Sequence, residues 1–227
     1  MKIYTNRAKV ADVAEEARML GSMFSDFGGD CTDKTDILLV GLPDSIAVEL
    51  GLEKAKALAQ HILVRCRKCP ECLAYRGRVW TARAIAETLG SVRTWFGTLT
   101  LAPDRALQAR MAADSAVTTA ISERTDENHF QRMVDFINPE ITKFLKRIRK
   151  NSDATLRYLL VAEKHKSGLP HWHILIHEHA GYASKRELEK AWRYGFSHWR
   201  LVQTQDPRAA RYACKYLSKT ALSRVRA

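Results

Sequence analysis

From Arg93 onward the hydrophobic period changes in an order that few folds can accommodate. The run "RTWFGTLTL" (Arg93 to Leu101) alternates aromatic and β-branched residues, as a half-buried strand does. Pro103-Asp104 opens a helical stretch and a second begins near Asp126, with a break expected at Asn138-Pro139, because proline disfavours a helical residue before it. The continuation "PEITKFLKRIRK" sets Ile141, Phe144, Leu145 and Ile148 on one face and Lys143, Lys146, Arg147 and Lys150 around the rest, a flank that suits a phosphate backbone or plain water equally. Two strand-like runs follow, Thr155 to Glu163 and His171 to His177, joined by a loop with Gly168 and Pro170. Ser184 with Glu187 forms a capping-box pattern for a helix running to Gly195, "FSHWRLVQ" (Phe196 to Gln203) reads as a strand, and Asp206-Pro207 supplies the N-cap and first-turn proline of a last helix to about Leu222. Strand, helices, strand, strand, helix, strand and helix in that order predict an α+β fold: an antiparallel sheet of split βαβ topology, ferredoxin-like or RRM-like, backed by helices.

Within the second of the paired strands, "LPHWHILI" places two imidazoles in an apolar run. Side chains two apart on a strand share a face, so His171 and His173 project together while Trp172 points the other way. If the loop from Lys164 to Pro170 closes a hairpin, Glu163 lies opposite His171 on that same face. Two nitrogens and a carboxylate, with further positions open, suit Mn²⁺, Mg²⁺ or Zn²⁺; hydrogen-bonded histidines of an ordinary sheet are the plain alternative. His177 and His179 continue the parity but lie further along, and are left out of the site.

The last helix carries "YACKYLSK", which puts Tyr212, Lys215, Tyr216 and Lys219 on one continuous face and leaves Ala213, Cys214 and Leu217 to pack on the sheet. A free phenol with a pKa near 10 is ionised at pH 7 only at a cost of about 4 kcal/mol. A neighbouring ammonium favours the phenolate and a metal polarises phosphate oxygens, so phenol, ammonium and metal together point to attack on a phosphodiester.

Charge agrees with a polyanionic partner. The net charge is +12, yet residues 1–60 carry 7 Lys+Arg against 10 Asp+Glu, net −3, which leaves 30 against 15, net +15, for the rest. Such an excess is what counterion release from a nucleic acid exploits. Three of the five cysteines sit in "CRKCPEC". Cys66, Cys69 and Cys72, with His61 or Cys31 as a fourth, are candidates for a structural Zn²⁺ site, while the odd cysteine count argues against a disulfide framework; Cys214 reads as a small buried hydrophobe. The start of the chain lacks the apolar core of a signal peptide and no apolar run is long enough to span a bilayer, so a cytoplasmic protein with no membrane partner is expected. Three segments follow: an acidic, mainly helical extension over 1–60 around "ILLVGLP", a Cys-rich segment and basic helix over 61–92, and a core over 93–227. In the first, the Ala47 to Gly51 spacing fits a helix-turn-helix or a two-helix hairpin.

Four stretches, in order, resemble the HUH endonucleases, and most closely the rolling-circle replication initiators of microviruses, the small single-stranded DNA phages. "CRKCPECLAYRGRVWTARAIAE" is similar to their Cys-rich segment and Arg/Trp helix, "WFGTLTL" to the first strand motif, "LPHWHILI" to the two-histidine motif and "YACKYLSK" to the two-tyrosine motif. One departure is Ala102 in "LTLAPD", where an aromatic residue is usual. The resemblance implies His171, His173 and Glu163 as ligands of Mg²⁺ or Mn²⁺, Tyr212 and Tyr216 as nucleophiles, and Lys215 beside them as activator, with Lys219 one turn on. It also implies a metal-dependent nicking and rejoining enzyme that forms a 5′-phosphotyrosine link at a single-stranded DNA origin. Its partners would be a host polymerase and helicase, in the host cytoplasm. A relaxase or transposase of the same superfamily and a non-catalytic single-strand binder are the alternatives; the oligomeric state is not legible.

Overall fold

The structure, a computed structural model, describes residues 2–7, 9–42, 44–115, 126–203, 206–215 and 224–226. The chain forms two compact units, Met1–Tyr75 and Arg76–Ala227.

The first unit is a four-stranded sheet with three short helices. Strands β1 (Lys2–Arg7), β2 (Met23–Asp26), β3 (Thr35–Val40) and β4 (Ala59–Val64) lie in the order β1-β3-β4-β2, the β2–β4 pair parallel and the others antiparallel. Helices α1 (Val10–Leu20), α2 (Asp44–Leu50) and α3 (Leu52–Ala57) fill the connections. Burial alternates residue by residue along β3 and β4, so one face of this sheet is covered and the other is open. This corrects the expected mainly helical extension: helices are present, but a sheet organises them, and the boundary expected after residue 60 falls inside β4. Only the "ILLV" run stands out in the sequence. β2 has four residues, and "AQHILV" follows "LEKAKAL" with no break signal, so its extended form comes from pairing with β3 rather than from local preference. Gly51, at φ 76°, makes the tight reversal between α2 and α3 that the Ala47 to Gly51 spacing suggests.

The second unit has the element order read from the sequence. Helix α4 (Pro70–Gly90) enters it and leads into β5 (Arg93–Leu99), α5 (Pro103–Ser115), α6 (Asp126–Asn151), β6 (Thr155–Lys164), β7 (Pro170–Ala180), α7 (Lys185–Ala191), β8 (Ser197–Val202), α8 (Arg208–Cys214) and β9 (Arg224–Arg226). The sheet runs β8-β5-β7-β6-β9 with every pair antiparallel. The four strands β5 to β8 in this order are the split βαβ arrangement, α5 and α6 making one crossover and α7 the other. β9, at the outer edge of β6, was not expected, because a three-residue strand with two arginines carries no signal of its own.

Each face of the sheet has its own core. Trp95, Leu99, Leu160, Trp172, Ile174, Ile176 and Trp199 face α5, α6 and α7, whereas Phe96, Leu159, Val161, Leu175 and Val202 pack with Ala84 of α4 and Ala209, Ala210, Ala213 and Cys214 of α8. Gly97 sits at the centre of β5 because the Trp199 ring lies across it; a Cβ there would be 2.4 Å from that ring.

Helix α6 continues through Pro139 where a break was expected. An interior proline costs about 3 kcal/mol. Phe130, Met133, Val134, Ile137, Ile141, Phe144, Leu145 and Ile148 are all buried along one stripe of that helix. Each such side chain contributes about 1.5–3 kcal/mol on burial, so the stripe outweighs the proline several times over. Of the basic flank, Arg147 is structural: it pairs with Glu140 and donates to the Ala191 carbonyl, while Lys143, Lys146 and Lys150 stay exposed.

Candidate metal centre and nucleophile

The β6–β7 hairpin closes in the register anticipated from the sequence. Glu163 pairs with His171 and Val161 with His173, so the carboxylate and both imidazoles stand on one face, while Trp172 is buried in the opposite core. Gly168, at φ 81°, donates its N–H to the His165 carbonyl and closes the connecting loop. His171 Nε2 lies 3.2 Å from His173 Nε2, which lies 3.1 Å from Glu163 Oε2. All three donor atoms are within 4.8 Å of one another.

These separations fit the donor set of a divalent ion. Ligands bound at about 2.1 Å stand about 3.0 Å apart in octahedral and about 3.4 Å apart in tetrahedral geometry, and the observed spacings fall between. Thr98 Oγ1, on the neighbouring strand β5, is 3.4 Å from His173 Nδ1. With Nδ1 donating to that hydroxyl, Nε2 is left with a lone pair aimed at another ring nitrogen and a carboxylate, a cluster of acceptors that calls for a cation. Burial, with the positive neighbours His171 and Lys215, pushes His173 down to about 4; burial and His165 lower His171 as well. Both rings are thereby held in the neutral form that ligates metal.

Helix α8 brings Tyr212 to this cluster. Its ring centroid is 5.2 Å from that of His173, edge-on, and 5.7 Å from Phe96, which itself stacks on His173 at 5.8 Å. Lys215 Nζ stands 5.7 Å from the Tyr212 centroid. The small residues Ala209, Ala210 and Ala213 let the helix settle on the sheet while Tyr212 stays 43% exposed beside the histidines. Tyr216 and Lys219 lie outside the described residues, as does the expected continuation of the helix to Leu222. The helix begins at Arg208 with Pro207 at its N-cap; Asp206 instead accepts from the Arg208 N–H at 2.9 Å. Cys214 is buried, as anticipated, and burial pushes its thiol to about 11.

In the first unit, the fourth member of the cysteine cluster is Cys31, from the loop before β3. The sulfurs of Cys31, Cys66, Cys69 and Cys72 lie within 4.8 Å of one another, Cys31–Cys69 at 3.7 Å and Cys66–Cys72 at 3.9 Å. Zn–S bonds of about 2.3 Å in a tetrahedron put sulfurs about 3.8 Å apart, and a disulfide would need about 2.05 Å. The backbone N–H groups of Lys68 and Cys69 point at Cys66 Sγ, and that of Cys66 at Cys31 Sγ. Arg67, at φ 65°, makes the turn that aims them. Burial pushes Cys72 up to about 12 and raises Cys31, whereas for Cys69 the N–H groups of Cys72 and Thr32 overcome burial and bring it down to about 6. His61 is elsewhere: its Nδ1 is 3.0 Å from Asp36 Oδ2, under cover on β4.

Residues that sequence reasoning passed over are Thr98, Phe96 and Arg200. The signal was the period-2 pattern of "WFGTL", which puts Phe96 and Thr98 on the histidine face once β5 is known to adjoin β7. Arg200 reaches the same face from β8, its guanidinium 5.1 Å from the Phe96 centroid.

An antiparallel sheet presenting a two-histidine, one-carboxylate donor set under a helix-borne phenol defines a protein equipped to work on phosphate esters. The family profile of the replication-associated protein ORF2 matches residues 94–221, more than half of the chain, from β5 past α8. The chain belongs to this family of rolling-circle replication initiators. No curated protein and no solved structure matches it.

Proposed function

We propose that this protein is an HUH-type endonuclease that nicks one strand of DNA at a replication origin and keeps the broken bond as a 5′-phosphotyrosine. The observation that carries this reading is the 5.2 Å approach of the Tyr212 ring to His173 within the Glu163, His171 and His173 group. In the step, the phenolic oxygen of Tyr212 bonds to phosphorus, the P–O3′ bond breaks, the phenolic proton is released and O3′ departs as a hydroxyl from which a polymerase extends. Because the new ester conserves the free energy of the old one, the reverse attack reseals the strand. Glu163, His171 and His173 would hold Mg²⁺ or Mn²⁺, which when bound polarises the phosphate oxygens. Thr98 orients His173, and Lys215 lowers the cost of negative charge on the phenol and the phosphate. Tyr216, one turn on by sequence, is the second nucleophile that the microvirus-like motif suggests, so cleavage and resealing would alternate between two phenols.

Cys31, Cys66, Cys69 and Cys72 would hold a structural Zn²⁺. The family membership and the excess of basic residues after residue 60 support DNA as the substrate. Incubation with labelled single-stranded oligonucleotides and Mn²⁺, followed by a denaturing gel, tests the proposal. The expected result is a protein–DNA adduct that requires metal and is lost in the Tyr212→Phe, Tyr216→Phe double variant. An adduct that persists in the double variant overturns the nucleophile assignment.

A further inference from the structure

Further along the histidine face lies a second constellation that the nicking chemistry does not use. His177 follows His173 by four strand residues, about 13 Å. It borders a cavity of about 570 Å³ lined by Trp80, Arg83 and Glu87 of α4, Arg149 at the end of α6, and Arg157 and Tyr158 of β6, among others. Three guanidinium-bearing residues meet there. Arg157 is tied to Glu87, which also holds His179 at 2.7 Å, but neither Arg83 nor Arg149 has an acidic partner among the described residues. Arg83 instead lies 5.0 Å from the centroid of the half-buried Trp80 ring.

The tautomer of His177 follows from a relay of hydroxyls. Ser91 donates its only hydroxyl proton to the Thr88 carbonyl at 3.0 Å, so Thr94 must donate to Ser91 Oγ at 2.8 Å. Thr94 Oγ1 can then only accept at 3.0 Å from His177, which places the proton on Nδ1. Nε2 is therefore a lone-pair acceptor, on a side chain only 1% exposed, and it has no partner in the protein. A buried acceptor left unpaired is uncommon and calls for a donor.

We propose that this cavity is a subsite for one nucleotide of a DNA strand, its phosphate between Arg83, Arg149 and Arg157, its base against Trp80, and a base N–H donated to His177 Nε2. A guanidinium cluster recognises phosphate, an indole provides a stacking surface, and the imidazole lone pair favours bases with an amino group, provided the ring rotates slightly to open its Nε2 edge. The assignment rests on the proposed reading that the protein handles a DNA strand, and it adds a contact remote from the scissile bond.

Trp80 fluorescence provides the readout, titrated on the full chain with dAMP, the trinucleotide d(AAA) and inorganic phosphate. The expected result is quenching by both nucleotide probes, with the trinucleotide at least tenfold tighter than dAMP. The quenching should be absent in Trp80→Phe, and affinity should fall at least tenfold in Arg83→Ala/Arg149→Ala, two substitutions of exposed residues that leave the core intact. His177→Phe is expected to reduce the preference for dAMP over dTMP. Phosphate binding as tightly as dAMP would mean an anion site only, equal affinity for dAMP and d(AAA) would mean a free-nucleotide site, and wild-type affinity in the double arginine variant would mean no site; each overturns the proposal. Adduct formation measured in parallel separates the two readings. Loss of adduct with d(AAA) still bound here removes the nicking reading alone, and adduct formation without this binding removes the subsite alone.

Discussion

At the scale of single residues, His177 is the most sensitive reporter of how this sheet is built. Burial pushes its pKa down to about 4, with nearby Glu87 opposing and His179 assisting, whereas an unfolded histidine titrates near 6.5. Unfolding therefore takes up a proton between those values, and stability rises with pH across the window: the contribution is fully present above about pH 6.5 and is lost as pH falls through about 4. The full shift corresponds to about 3 kcal/mol. Chemical denaturation of wild type and His177→Gln between pH 4 and 7 should show a steeper rise with pH in wild type; parallel curves would mean that His177 ionises as it does in water. The hairpin was legible residue by residue, since the period of 2 and the length of the loop before His171 placed Glu163 opposite it. Thr98 was not, because nothing local says that β5 adjoins β7.

At the scale of elements, α6 and the cysteine loop show packing and metal ligation acting against local preference. Pro139 removes one helical hydrogen bond from a helix held by its buried stripe. Pro139→Ala should accordingly raise stability by about 1–3 kcal/mol in urea unfolding, with the slope of the transition unchanged. A decrease would mean that the proline ring itself is packed to advantage. The four cysteines come from two segments 35 residues apart, between Cys31 and Cys66, so a bound ion would tie the loop before β3 to the start of α4. Cys31→Ser should lower zinc content well below one per chain and shift the unfolding of residues 1–75 to lower temperature, and chelation of wild type should mimic it. Full zinc occupancy in that variant would exclude Cys31 as a ligand. The C-x2-C-x2-C run was visible in sequence; the choice of Cys31 over His61 was not, because it depends on which loop β3 and β4 bring alongside.

At the scale of the whole molecule, charge alone does not say where a strand would run. The exposed lysines of α6 and the donor set with Tyr212 belong to opposite faces of the second sheet, since α6 packs on the Trp172 side and α8 on the Phe96 side. Arg200, not the α6 lysines, stands on the tyrosine side. Removing one phosphate contact lowers the slope of log affinity against log salt by about 0.7 for a single strand. Arg200→Ala should show that loss in fluorescence anisotropy titrations with single-stranded DNA, and Lys146→Ala should leave the slope unchanged. The opposite pattern would move the DNA path to the helical face.

Local chemistry along the chain dictates the order of elements from Arg93 onward, the shared face of His171 and His173 with Glu163 opposite, and the burial of Cys214. These follow from backbone periodicity and from a short hairpin, which act over a few residues. Contacts between distant segments set the rest: the sheet of the first 75 residues, the unbroken course of α6, the fourth cysteine, and the meeting of Tyr212 with His173. Each of these depends on surfaces brought together from separate parts of the chain, where burial and pairing outweigh the preferences of any local segment.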